Sequence, residues 1–111
     1  MTREELIDLY EQAIAAANGI QRKGKANPYT SANGYMFSQI NKNDELGIRL
    51  PKAMQKKLLE SHGAGPFKSY GATMREYVCV TPEMLTTEGL VTRLLEAGLQ
   101  FVSAMPPGGK K

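Results

Sequence analysis

Cys79 is the only cysteine and His62 the only histidine in 111 residues, so nucleophilic or acid–base chemistry would have to start from them. A reactive thiolate needs a lowered pKa and a base within hydrogen-bond reach. Cys79 stands in REYVCVT between two valines, which predicts a mid-strand, core-facing hydrophobe. His62 follows a lysine-rich segment and precedes Gly63, which predicts an imidazole at a helix C-terminus, where it suits the dipole. A single cysteine forms no internal disulfide. With a single histidine it also falls short of an ordinary zinc ligand set. The expectation is no catalytic residue, no metal and no cofactor.

Other groups point the same way. HGAGPF is rich in glycine, yet it lacks the GK[ST] or GxGxxG spacing that cradles phosphate between a strand and a helix. Glu4, Glu5, Asp8 and Glu11 fall on the exposed side of one helix near its N-terminus, where they suit the dipole rather than converge as a paired-acid site. NKNDE at 41–45 carries oxygen ligands without calcium-loop spacing and reads as a turn.

What remains is a long polar segment, IQRKGKANPYTSANG. Its cations Arg22, Lys23 and Lys25 are followed by Tyr29, Ser31 and Asn33, and Tyr70 and Arg75 come later in the chain. Loops of this length often carry function, while others merely wrap a sheet edge. These eight residues are the candidate partner or ligand surface.

Composition narrows the classes. The hydrophobic share is 41% and the formal charge +3, with five tyrosines and no tryptophan. Lys110 and Lys111 account for two of the charges, leaving +1 on residues 1–109. That balance lacks the broad positive field that dominates nucleic-acid binding. No apolar run approaches the ~20 residues needed to span a bilayer. The opening MTREELIDLY is acidic and helical, unlike a signal peptide. The expected location is the cytoplasm.

The elements that must position these groups follow from periodicity. Thr2 with Glu5 forms a capping box, and Leu6, Tyr10, Ala13, Ile14 and Ala17 share a helical face, predicting a helix over about 3–18. YMFSQI and LGIRL flank the 41–45 turn as an antiparallel hairpin. Leu46, Ile48 and Leu50 alternate strictly there, with Arg49 opposite. In the first of these strands, Met36, Ser38 and Ile40 would face one way and Tyr35, Phe37 and Gln39 the other. Pro51 begins a helix that ends before Gly63. REYVCVT is a strand with Val78 and Val80 on one face, and Thr81-Pro82 closes it as N-cap and N1. Thr86 or Thr87 caps a last helix carrying Leu90, Val91, Leu94, Leu95, Phe101 and Val102, ended by Pro106 and Pro107. The order predicts an α+β domain, a small antiparallel sheet with helices packed against it.

These same residues carry a family resemblance. The run YTSANGYMFSQINKNDELGIRLP resembles the N-terminal domain of the TfoX/Sxy proteins. Met36-Phe37 opens its hairpin, and Leu46 to Leu50 forms the second strand before a helix. Pro66-Phe67, Met74 and Tyr77-Val78 match the family's later signature. The likeness covers essentially residues 1–104 and is closest to a small, mostly uncharacterised single-domain branch, with NPYTS at 27–31 for that branch's MPYTS. It implies a curved antiparallel sheet with two or three more segments than periodicity reveals. It brings no catalytic motif. Relatives with a second, helical domain are linked to competence regulation as transcriptional co-regulators.

The expected organisation is one TfoX N-terminal-like domain over 1–105, with a flexible basic tail over 106–111. The expected function is a small binding or regulatory module acting through protein contacts, as a homodimer or with another protein. Weak nucleic-acid association as a transcriptional co-regulator is one alternative. An enzyme with a small-ligand pocket near residues 25–34 and 70–75 is the other.

Overall fold

A computed structural model describes residues 1–69 and 71–108. The elements run α1 (Arg3–Ala16), β1 (Tyr29–Ala32), β2 (Tyr35–Ile40), β3 (Leu46–Arg49), α2 (Lys52–His62), β4 (Pro66–Ser69), β5 (Ala72–Val80), α3 (Pro82–Leu85) and α4 (Leu90–Ser103). The strands form one antiparallel sheet in the order β1-β2-β3-β5-β4. It is the α+β arrangement that periodicity predicts.

α1 starts at the expected capping box: the Thr2 hydroxyl accepts from the Glu5 amide at 3.1 Å, and the Glu5 carboxylate accepts from the Thr2 amide at 2.8 Å. Arg3 then ties this end down. Its guanidinium donates to the carbonyls of Asn41 and Ala26, at 2.9 Å each, and pairs with Asp44 at 2.8 Å. The 41–45 segment is the predicted turn, with Asn41 Oδ1 accepting from the amides of Asn43 and Glu45. Pro51 precedes α2 as its N-cap rather than its first helical residue. Thr81 and Pro82 take the predicted cap and N1 positions, but of the four-residue α3. α4 is capped neither by Thr86 nor by Thr87. Its N-cap is Gly89, at φ 75°, because Thr86 and Thr87 both turn their hydroxyls back onto the Glu83 carbonyl.

Two strands escape periodicity. β1 is four residues long and mostly polar, and it joins β2 through Asn33-Gly34. Both residues of that turn have positive φ, 56° and 83°, the left-handed pair that matches the twist of a two-residue hairpin. β4 is equally short and forms a hairpin with β5.

Register decides which side chains face where. Thr30 pairs with Ser38 but Ser31 with Met36, so Phe37 is an extra residue in β2. The bulge turns Phe37 to the helix side, where its ring packs at Gly98 of α4. The simple alternation expected for this strand fails at that point.

On the helix side, Ile40, Leu46, Ile48, Val78 and Val80 join Leu6, Tyr10 and Ile14 of α1, Leu58 of α2, Met84 of α3 and Val91, Leu94 and Leu95 of α4 in one core. Three hydroxyls inside it satisfy one another: Ser38 bonds both Tyr10 and Thr30. Burial pushes the Tyr10 phenol up to about 12.

Candidate functional site

The opposite face of the sheet carries Gln39, Gly47, Arg49, Tyr77 and Cys79, which the pairings of β2, β3 and β5 place together. Helices reach only its margins, α4 through Phe101 beside Arg49 and α2 beside Tyr77. The β4–β5 hairpin curls over it instead. Pro66 pairs with Val78 but Phe67 with Met74, so the ladder register shifts across residues 75–77 of β5 and the hairpin bends there. Phe67 comes down flat over β3 at Gly47, where any Cβ would lie 2.5 Å from its ring. Only glycine admits this approach. Phe67 also stacks on Tyr77, with centroids 5.7 Å apart. Polar links close the curl: Ser69 Oγ donates to Gln39 Oε1 at 2.9 Å, and Asn41 Nδ2 donates to the Lys68 carbonyl at 2.7 Å.

Over β3, between β2 and β5, an open groove of about 620 Å³ remains, lined chiefly by Tyr35, Met36, Gln39, Arg49, Met74 and Tyr77. The β2 bulge contributes directly, because it brings Met36 round to the side of Gln39, whose Nε2 reaches its sulfur at 3.1 Å. The walls are held before any ligand arrives. Tyr77 donates its hydroxyl to the Met36 carbonyl at 2.7 Å, and Tyr35 donates to the Pro106 carbonyl at 2.8 Å. Arg49 donates from Nε to Glu76 Oε1 at 2.7 Å, and its Nη2 touches the same oxygen. The guanidinium also lies over Tyr35, 5.2 Å from the ring centroid, and 6.0 Å from that of Phe101. The result is a preformed, amphipathic groove with a clamped arginine.

The residues singled out from sequence do not form one site. Arg22 donates to the carbonyls of Gly24 and Lys25 and ion-pairs with Glu11 at 3.2 Å, although its Nε lacks hydrogen-bond geometry to any partner. Lys23 pairs its backbone with Tyr29 and donates Nζ to Ser31 Oγ at 2.7 Å. Lys25 is exposed. Tyr29 lines a small cavity of about 80 Å³ that the curl leaves beside Gln39, Asn41 and Ser69. Asn33 serves the fold: its Nδ2 donates to the carbonyls of Val102 and Met105, each at 2.8 Å, and so satisfies the end of α4. Of the seven that are described, Arg75 alone lines the large groove. Tyr70 lies outside the described residues.

Sequence reasoning missed Tyr35, Met36, Gln39, Arg49, Met74 and Tyr77 as a set. The available signal was Arg49, which strict alternation in LGIRL already placed opposite the core. The segment after α4 also differs in part from a free tail. Pro106 accepts from Tyr35, and the Gly108 amide donates to the Asn33 carbonyl at 3.0 Å. Residues 109–111, which include both terminal lysines, lie outside the described residues.

Cys79 requires a correction. Val78 and Val80 take the core, so the odd-numbered face carries Cys79 away from it, half-buried. Its thiol is pushed up to about 11, first by burial and then by the nearby Glu45 carboxylate. Such a thiol is overwhelmingly protonated at neutral pH and a poor nucleophile.

Among the described residues, no three His, Cys, Asp or Glu side chains gather closely enough to hold a metal ion. No helix among them is long and apolar enough to cross a membrane. The apolar stripe of α4, one basis for expecting a dimer, is largely covered within the chain: Val91, Leu94, Leu95 and Val102 are buried. No protein-family model matches the chain, and no curated protein matches it.

Proposed function

We propose that the chain is a binding module of the TfoX N-terminal type, regulatory rather than catalytic, which grips a segment of a partner protein in the groove between β2 and β5. The observation that carries this reading is the groove's composition. Methionine and tyrosine walls around a clamped arginine are the side chains enriched at the buried centres of protein interfaces. Met36 and Met74 adapt to different apolar shapes. Tyr35, Tyr77 and Arg49 are already fixed by hydrogen bonds, so binding would cost little further side-chain ordering. A nucleic-acid reading loses Arg22 and Lys23, whose polar ends are already engaged inside the chain. A second copy of this chain is the alternative occupant, and it would have to meet the groove by a sheet edge.

Photo-crosslinking tests the proposal. With p-benzoylphenylalanine in place of Tyr35, irradiation in native cytoplasm should give a discrete protein adduct. The same probe in place of Glu83, on exposed α3, should not. Equal labelling at both positions, or none at Tyr35, would remove the groove as a binding site.

A further inference from the structure

The far wall of the groove has a second side. Thr73, Met74, Arg75 and Tyr77 also line a cavity of about 350 Å³ between α2 and the β4–β5 hairpin, and the two depressions meet across the bend of β5. Lys52, Lys56 and Leu59 supply the α2 wall of this saddle. Their spacing of four and then three residues puts all of them on one helical face.

Among the described residues, three cations line this 350 Å³ cavity, Lys52, Lys56 and Arg75, and no carboxylate does. None of the three enters an ion pair there, since the pairs formed among those residues are Arg3–Asp44, Arg22–Glu11 and Arg49–Glu76. Glu76 is the acid next to Arg75 in the chain, and Arg49 engages it. The α2 side of the saddle therefore presents three cations that no ion pair engages, in contrast to the paired guanidinium groups of Arg3, Arg22 and Arg49.

The saddle is also apolar. Leu59 is 55% exposed, and among the described residues only Met1 is another large hydrophobic side chain left so open. Beside it stand Met74, Pro66 and Ala64. A track for nucleic acid combines cations with open aromatic faces for stacking. Here the open side chains are aliphatic.

We infer that this saddle receives an acidic protein segment. Its carboxylates would meet Lys52, Lys56 and Arg75, and one apolar side chain would seat against Leu59 and Met74 before the segment runs over β5 into the groove. The inference rests on the reading of the groove as a protein-binding site and names the chemistry of what enters it. Charge complementarity supplies orientation and encounter rate, and the apolar anchor supplies the short-range contact.

Fluorescence anisotropy with a short labelled peptide of glutamates around one leucine tests it. The peptide should bind saturably, and replacing its glutamates by glutamine should abolish binding. Replacing its leucine by serine should weaken binding several-fold. This peptide series needs no change to the protein. On the protein, the double variant Lys56→Glu with Arg75→Glu should lower affinity by about tenfold or more. Leu59→Ser should lower it several-fold, and Lys23→Glu should leave it unchanged. Equal binding of the glutamine peptide, or indifference to Leu59→Ser, overturns the proposal. So does tighter binding of oligothymidylate that survives Leu59→Ser, which would make the saddle a nucleic-acid site. An intact Tyr35 crosslink alongside any of these failures would leave the groove reading standing. Loss of both would end the two together.

Discussion

The two faces of the sheet are made by the same strands and differ in what closes them. On one face, helices seal Leu46, Ile48 and Val78 completely, and the polar atoms within the seal, those of Tyr10, Ser38 and Thr30, bond to one another. On the other, Gln39, Arg49 and Tyr77 lie under a curled hairpin, which reaches back through Ser69 and Lys68, while α4 and α2 reach only the margins and open grooves remain on both sides of the bend. Strict alternation creates both faces. Irregularities, the Phe37 bulge and the register shift between β4 and β5, turn one of them into a cleft. The lesson is that the regular parts of this sequence build the scaffold and the exceptions shape the candidate site.

The largest effect should fall on the sealed face. Leu95→Ala removes a fully buried side chain of α4 and should cost about 2–5 kcal/mol in urea unfolding. A loss no greater than that of an open-face substitution would invert the comparison. The open face has one exception to its tolerance. Gly47→Ala drives a methyl group into the Phe67 ring and should cost about 1–3 kcal/mol, while loosening the curl enough to alter the groove. An unchanged stability would mean that Phe67 does not seat as described.

A smaller effect concerns protonation. The Tyr10 phenol stands at about 12 against an ordinary 10.0, and the Cys79 thiol at about 11 against 9.0. Both ionise in the unfolded chain before they ionise in the folded one, so above pH 9 the folded state holds more protons. Their contribution to stability should be constant below that point and should fall as pH rises from 9 to 12. Tyr10→Phe should cost about 1 kcal/mol near neutrality by breaking its hydrogen bond to Ser38. It should also shrink the alkaline fall; an identical fall in the variant would show that the phenol does not drive it. The smallest effect is expected at Cys79. Cys79→Ala should cost less than about 1 kcal/mol, because the half-buried thiol is not in the core. Labelling at neutral pH should be slower than in the unfolded chain, and faster labelling would contradict the raised pKa.

The scaffold was legible because periodicity records burial. Leu6, Tyr10 and Ile14 announced α1, and Leu46 and Ile48 announced β3. The Thr2–Glu5 box and the Thr81-Pro82 pair marked helix starts by chemistry of their own. β1 escaped because Thr30 and Ser31 do not look buried; the buried Thr30 hydroxyl is met by Ser38, itself bonded to Tyr10. Asn33-Gly34 was the overlooked signal for that hairpin. The candidate site was harder to read. Arg22 and Lys23 look available in sequence, yet carbonyls and a serine far from any pattern take their polar ends. Lys52 and Lys56 look like ordinary solvent-facing charges, and only the fold places them around one depression with Arg75. Partnering of charge is a tertiary property, and neither composition nor spacing reports it.

The claim that the sheet face away from the core is the working face can be tested by mapping amide shifts of isotope-labelled protein as the glutamate–leucine peptide is added. The account predicts saturable shifts along Lys52–Leu59 and Thr73–Val78 that extend to Tyr35–Gln39, with α1 and residues 20–27 silent. Shifts confined to residues 20–27, or centred on α1 and α4, would contradict it.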